Sequence, residues 1–466
     1  MKLSFREYLL FGLVAFVIVW LNRHHFFFWD TVQLTSMHAH WFYEQDFATF
    51  FLPPKYDSGH PPFWGLYHAG LWKLFGKSVI TSHLAMWPFL FGALVFGGKI
   101  GALLVREPYA GLFFGLFLLA DPVFLTQATL VSPDIALVCF FLMTLYGLLL
   151  KRHNNTHWSI IIGAIGLSMV SLRGMMTLAG LGFFVLLDAG ISKGFRKMLY
   201  FTPGILVGVG VLTIHSFHTK WIGYHEDSPW ADSFQLVDFK GFARNLLILI
   251  WRMLDVGRIF IWVLLGFIWY RSKGLWQQEF KGRWGKAFLA LAIFLLPTFL
   301  LYNGLNGMRY LMPLLMVINL LFVQAIFLLR KQGYHRWLLV YFLAFFAFAM
   351  GNTWKYPPTI SVSWDTTMMH QPYYRLRKKM MAFIQQENIP ITKIATAFPN
   401  TAPLEIIDLN GVNERMVAIS DTSANYIFVS NIFNDLKNEF NNIDEQMELI
   451  QGFSNGAIWV KLYRID

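Results

Sequence analysis

Cysteine and charge are what this chain has least of. Its single cysteine, Cys139, lies inside an apolar run, which excludes an intrachain disulfide and any cysteine-based metal site. Charged residues make up only 14% of the 466 positions, against roughly a quarter in an average soluble domain. Acids are the scarcer sign, 27 against 38 Lys and Arg, and the resulting charge of +11 would point to nucleic acid in a soluble protein. No Walker-type glycine pattern and no fixed-period repeat occurs, so nucleotide hydrolysis and repeat architectures drop out.

Apolar residues take the space instead. They reach 56%, aromatics 18%, and mean hydropathy is +0.47. This composition excludes a disordered, collagen-like or ordinary soluble chain and predicts a mainly α-helical polytopic membrane protein. Apolar runs at 8–22, 80–104, 109–120, 135–150, 157–171, 175–191, 198–215, 256–270, 287–302, 311–329 and 337–350 predict about eleven transmembrane helices. The first is expected to stay in place: no small-residue cleavage site follows it, only Arg23-His24-His25 and then Phe26-Phe27-Phe28-Trp29.

Orientation follows from the cations. With a cytoplasmic N-terminus, the inside segments gather Lys151-Arg152, Lys193, Arg196, Lys197, the stretch Arg271–Lys286, Arg330, Lys331 and Arg336. The outside loops are much poorer in cations for their length, as the positive-inside rule requires, and membrane lipids replace nucleic acid as the expected partner. Pro61–Phe75 is apolar, yet counting it as a span would invert every later loop. It is therefore expected as a helix at the outer interface, with its Trp and Tyr at headgroup level. An odd span count leaves residues 351–466 outside, and their composition turns polar. Strands are expected at 393–398, 416–420, 426–430 and 456–463, and helices at 372–387 and 432–451: a small α/β extramembrane domain beside the 1–350 membrane module.

Ionisable residues collect where outside loops meet apolar runs: Asp30, His60, Asp121, Asp134, Arg173 and Arg309. Such groups are costly unless paired or placed at a wet cavity, so their position on one face predicts a site. Asp30 closes the Phe-Phe-Phe-Trp run and is read two compatible ways: the N-cap of a helix over Thr31–Phe42, or a general base against an apolar wall. His60 precedes Pro61-Pro62, a helix start that also favours an anion. Arg173 either clamps a phosphate or snorkels to headgroups. His215, His218, His225 and Glu226 match no tight zinc signature and read as a solvated loop. The basic run Arg375, Arg377, Lys378, Lys379 reads as a solvated or lipid-facing helix face.

Taken in order, these residues resemble the GT-C superfamily of membrane glycosyltransferases, in the group that holds protein O-mannosyltransferases and lipid A aminoarabinose transferases. The elements are Asp30 after the first span, His60-Pro61-Pro62 followed by an aromatic helix and Leu74-Phe75-Gly76, Pro133-Asp134-Ile135-Ala136-Leu137, Arg173-Gly174, and Arg309-Tyr310-Leu311-Met312-Pro313. They cover residues 1–350. Two departures stand out: Thr31 follows Asp30 where members often have a second acid, and Gly59-His60 replaces the Glu-Lys of the aminoarabinose branch. His-Pro-Pro leans toward the mannosyltransferase-like form.

The resemblance implies an enzyme of the bacterial cytoplasmic membrane that passes a sugar from a polyprenyl-phosphate donor to a lipid, glycan or protein acceptor, with inversion. Asp30 would be the base. Arg173, His60 and Arg309 with Tyr310 would bind substrate and meet the phosphate charge. Asp134 would position the acceptor, orient a cation or join Asp30 around a divalent metal. Trp29 and Trp64 are candidates for sugar stacking. A lipid-sugar transporter or flippase is the rival from another class, although its charges are expected near mid-bilayer and its halves related.

Overall fold

The computed structural model describes residues 2–465 apart from 151–155, 224, 227–230, 272–279, 355, 357–363 and 434–446. Lys151, Arg152 and Lys273, counted above among the inside cations, lie outside the described residues. Each of the eleven apolar runs coincides with a helix. Among the described residues, five helices are long and apolar enough to cross a membrane: Val79–Val105, Leu172–Ala189, Ile191–Thr219, Gly282–Leu301 and Met308–Lys331. Ala110–Ala120 and Pro122–Thr129, bent by 76°, make a sixth if they form one broken span. Pro133–Leu149, His157–Val170 and Trp337–Thr353 are apolar but shorter, and Phe5–Leu21 and Arg258–Arg271 complete the set.

Met308–Lys331 is the axis of the bundle, almost entirely buried and apolar on every side, as a helix surrounded by other helices must be. The bend between Ala120 and Pro122 has a covalent cause: Asp121 precedes proline and is extended, with φ −71° and ψ 114°. Its carboxylate then caps the next helix, accepting from the Val123 amide at 3.0 Å.

That carboxylate is fully buried, and it does not join the other outer-loop charges. Arg258 donates to it at 2.7 Å and Asn319 at 2.8 Å, so Asp121 cross-links three helices. A buried carboxylate stays in place only when paired and hydrogen-bonded.

Pro61–Phe75 yields a helix over Phe63–Phe75, but its indoles do not face headgroups. Trp64 and Trp72 are buried and donate inward, to Thr35 Oγ1 at 2.9 Å and Ser82 Oγ at 2.8 Å. Buried indoles seek a partner for N–H, and here neighbouring helices supply it. Only the end of the helix, Lys73, Leu74 and Phe75, is exposed.

Among the described residues the tail forms a five-stranded sheet in the order β2-β1-β3-β5-β4, from Val417–Ala418, Ile394–Thr396, Tyr426–Ser430, Trp459–Arg464 and Glu448–Ser454. β1 runs parallel to β2 and β3, whereas β5 is antiparallel to β3 and β4. Helix Pro372–Gln386 packs across β4 and β5. Most of the expected helix at 432–451 lies outside the described residues. Its end is a strand, because Glu448–Ser454 pairs along β5 as the sheet's edge. Arg377 also departs from the expected solvated face: it is buried, bidentate to Asp408 at 2.8 and 3.1 Å, and stacked over Phe26.

Through Arg377 and its neighbours the tail docks on the start of the first loop. His25 stacks on Tyr374 with centroids 4.0 Å apart, the Phe27 amide donates to the Ile407 carbonyl at 3.0 Å, and Ser36 donates to the Ile406 carbonyl at 2.6 Å. Phe28, Trp29 and Leu130 enter the tail's apolar core.

Replacing Arg258 by Leu strands the Asp121 carboxylate. Stability should fall by about 3–5 kcal/mol, the cost of removing one partner of a buried pair, read as a lower melting midpoint in detergent. Asp121→Asn added to Arg258→Leu should recover much of the loss, and equal midpoints for Arg258→Leu and the parent would refute the pairing.

Candidate active site

All six residues singled out for substrate chemistry line one cleft or bind directly to its wall, and of the ionisable groups at the outer loops Asp121 alone stays apart. A cleft open to solvent, with a cavity volume of about 100 Å³, is bordered by Asp30, Ser58, His60, Arg173, Tyr310 and Thr298 among others. Arg309 pairs with Asp30 at its edge, and Asp134 pairs with Arg173 at 2.9 Å and lies 3.7 Å from Arg309.

Local structure explains each position. Trp29 sits in the left-handed region at φ 51°, a strained conformation for a bulky side chain. Its turn is closed by Thr31, whose hydroxyl accepts from the Phe28 amide at 3.0 Å. Asp30 is therefore not the cap. It is the first residue of the helical segment, and its carboxylate is left for the cleft. The next turn, Val32–Met37, is a wide π-helical stretch, a form often found at functional sites.

His60 is placed by glycine. Gly59 has φ 71°, and a Cβ there would stand 1.9 Å from the Gly223 carbonyl oxygen. Asp57 fixes the approach by accepting from the Gly59 amide at 2.8 Å and pairing with His215 at 2.8 Å. His215 and His218, expected in a solvated loop, thus hold the first loop; His218 stacks on Phe51 at 4.0 Å.

Arg173 begins helix Leu172–Ala189, an end where the helix dipole disfavours a cation. Asp134, at the start of Pro133–Leu149, compensates it. Gly174 permits the close approach of helices behind this pair, since a Cβ would lie 2.0 Å from the Leu167 carbonyl. Tyr310 lies under both guanidiniums, at 4.3 Å from Arg173 and 5.1 Å from Arg309.

One member of the cluster was not expected. Asp365, from the tail, takes the Arg309 Nε edge at 2.9 Å. Its turn, Trp364–Thr366, is anchored by Gln127 Nε2, which donates to the Asp365 carbonyl at 2.7 Å. Burial raises the Asp365 carboxyl above the ordinary range, with Asp30 adding to the effect and Arg309 opposing it. A signal did exist: Trp-Asp-Thr occurs at 29–31 and again at 364–366.

Two expectations about charge need correction. His60 is not a cation, because burial, followed by the Arg173 and His38 charges, pushes it down to about 3 against the pull of Asp30 and Asp57. It offers a neutral imidazole. A shared metal site for Asp30 and Asp134 does not fit either: both carboxylates already face guanidiniums, and among the described residues no three metal-binding side chains are grouped. No step is derived through a metal. Trp29 and Trp64, considered for sugar stacking, are buried at 7% and 2% exposure and line protein cores.

The chain is thus a helical module of the membrane type, with acids and guanidiniums paired around one cleft and an α/β tail docked beside it. Among solved structures the chain is similar to ArnT from Cupriavidus metallidurans bound to undecaprenyl phosphate, with TM-score 0.53 and 14% identity over 97% of each chain. Apo ArnT from the same organism gives 0.50, again with 14% identity and 97% of both chains. At this identity the likeness is one of fold, and the chain has the ArnT-like GT-C fold. No family model and no curated protein matches it.

Burial also makes the fold acid-sensitive. His25 and His60 are pushed down to about 3, and His38, His40, His68 and His370 to about 4, chiefly by desolvation. A histidine titrating lower in the folded state than at its ordinary ~6.5 leaves the unfolded chain binding more protons below that pH. Stability from these groups is complete above about 6.5 and is lost as pH falls toward 3 to 4. The melting midpoint in detergent should drop between pH 7.5 and 5; a midpoint that is flat or rises over that interval would contradict the burial of neutral imidazoles.

Proposed function

We propose that this chain is a glycosyltransferase of the outer membrane face, with its N-terminus cytoplasmic and its tail outside. It moves a sugar from a polyprenyl-phosphate donor to the hydroxyl of a lipid, glycan or protein acceptor. The observation that carries this reading is one cleft bordered by a carboxylate, Asp30, and a guanidinium, Arg173, with Arg309 at the Asp30 edge. ArnT, whose fold the chain shares, has been solved with undecaprenyl phosphate bound.

The chemistry is a single displacement. The acceptor oxygen attacks the anomeric carbon, the bond from that carbon to the phosphate oxygen breaks, and configuration inverts. The acceptor proton passes to Asp30, a role for a carboxylate within hydrogen-bond reach. Polyprenyl phosphate leaves with a new negative charge, which Arg173 and Arg309 compensate; preformed cations cost no reorganisation at that moment. Tyr310 keeps the two guanidiniums apart and aligned, and neutral His60 contributes a hydrogen bond, not charge. Asp134 holds Arg173 in place. A smaller space between the first loop and helix Thr202–Thr219, lined by Phe51, Leu52, Val211 and Leu212 together with Asp57 and His215, adjoins His60.

The test is transfer from a panel of radiolabelled polyprenyl-phosphate sugars to membrane acceptors, wild type against Asp30→Asn at equal folded yield. Wild type should transfer from at least one donor, and Asp30→Asn should lose about 10²–10⁴-fold, the range for a general base. Equal transfer by both would remove Asp30 from the chemistry. Wild type inert toward every donor would refute transfer and favour lipid-sugar transport.

A further inference from the structure

The tail enters the cleft through one residue that the transfer chemistry above does not use. Arg309 has three nitrogens, and three acids divide them: Nη2 goes to Asp30, Nη1 faces Asp134 at 3.7 Å, and Nε goes to Asp365 at 2.9 Å. A donor phosphate that takes Nη2 from the cleft side displaces Asp30, which borders the cleft. Nε stays with Asp365, a contact that this exchange does not break. A guanidinium held on Nε keeps its plane while its other edge changes partner, because its donors form a rigid fork.

The mounting of Asp365 fits this task. Its turn is bonded through Gln127 to helix Pro122–Thr129. The next turn is tied by Met368, whose amide donates to Asn352 at 3.2 Å, and by Gln371, which donates to Asn22 at 3.1 Å and to Thr129 at 3.2 Å. His370 packs edge-on against Trp29, with centroids 5.1 Å apart, which joins the two Trp-Asp-Thr turns. Both turns therefore end on the same guanidinium, one from the first loop and one from the tail.

We propose that Asp365 is a positioning residue for the transfer reaction: it pins the Nε edge of Arg309 so that the Nη edge is free to trade Asp30 for the donor phosphate without leaving the cleft. The tail thereby completes the active site. This inference rests on the transferase reading. Without Asp365, Arg309 settles fully onto Asp30 and Asp134, so turnover suffers more than phosphate binding. A carboxylate has also been removed, which by itself favours an anion.

The experiment compares wild type, Asp365→Asn, Asp365→Glu and Gln127→Leu at matched folded yield. It measures kcat with the best donor of the panel, and the affinity for undecaprenyl phosphate in micelles by tryptophan fluorescence. Asp365→Asn should lower kcat by about 10- to 100-fold, the scale expected for a catalytic group displaced by roughly 1 Å, while undecaprenyl phosphate binds as tightly as before or tighter. Asp365→Glu, which keeps the charge, should recover part of kcat. Gln127→Leu, which loosens the turn without touching Arg309, should show the same split more weakly.

Unchanged kcat in Asp365→Asn overturns the inference and leaves the transferase reading intact. Parallel loss of kcat and binding makes Asp365 a structural residue only, and also overturns it. If Asp365→Asn does not fold, Gln127→Leu decides on the same two readouts. A wild type without transfer fails both readings at once, and the donor panel reveals that before any variant is compared.

Discussion

Everything near the cleft depends on keeping one guanidinium where water is scarce. Arg309 is about nine-tenths buried at its side chain, and a buried cation of this kind persists only with partners that replace its hydration. Three parts of the chain supply them: the first loop with Asp30, helix Pro133–Leu149 with Asp134, and the tail with Asp365. No two of these segments are neighbours in sequence. The electrostatic requirement of a single side chain thus ties loop, bundle and tail together at one point.

The backbone around this point is correspondingly demanding. Trp29 holds a left-handed turn whose cost is of the order of 1–3 kcal/mol, and its indole is buried between the tail and the bundle. Gly59 lies against the Gly223 backbone, where any side chain would collide. These features carry Asp30 and His60 to the cleft from opposite ends of the first loop. The apolar packing of the tail on Phe26, Phe28 and Trp29 holds that geometry, so the docked tail and the strained turn stabilise each other.

The helices were readable from sequence because apolar length is a local property. All eleven runs became helices, with ends shifted by a few residues. The residues around the cleft were readable for a different reason: an acid or base at the edge of an apolar run is conspicuous when only 14% of the chain is charged. The same rule misplaced Asp121, since Arg258 and Asn319 approach it from distant helices and no local pattern announces that. It missed Asp365, which lies in a polar stretch where one more acid attracts no notice. It gave His60 a charge, because burial is a tertiary property. The end of the tail's last expected helix gave way to a strand for a similar reason: Glu448–Ser454 finds its partner in β5, and pairing overrides local preference.

Charge balance gives the cleft its character. Two guanidiniums face three carboxylates, and the nearby imidazole of His60 is neutral. Such a cleft is not a general anion trap, because an incoming phosphate meets acids already in possession of the cations. It gains a hold only by replacing a carboxylate; Asp30 at 21% and Asp365 at 23% are the accessible ones against 3% for Asp134, and of these two Asp30 is the one that borders the cleft. In the proposed reaction that exchange is productive. The phosphate that takes Arg309 releases the one carboxylate placed to accept the acceptor's proton, so donor binding and activation of the base become a single event. A cleft that merely carried a lipid-linked sugar would have no use for that coupling, whereas an inverting transferase needs its base unmasked only when the donor is in place.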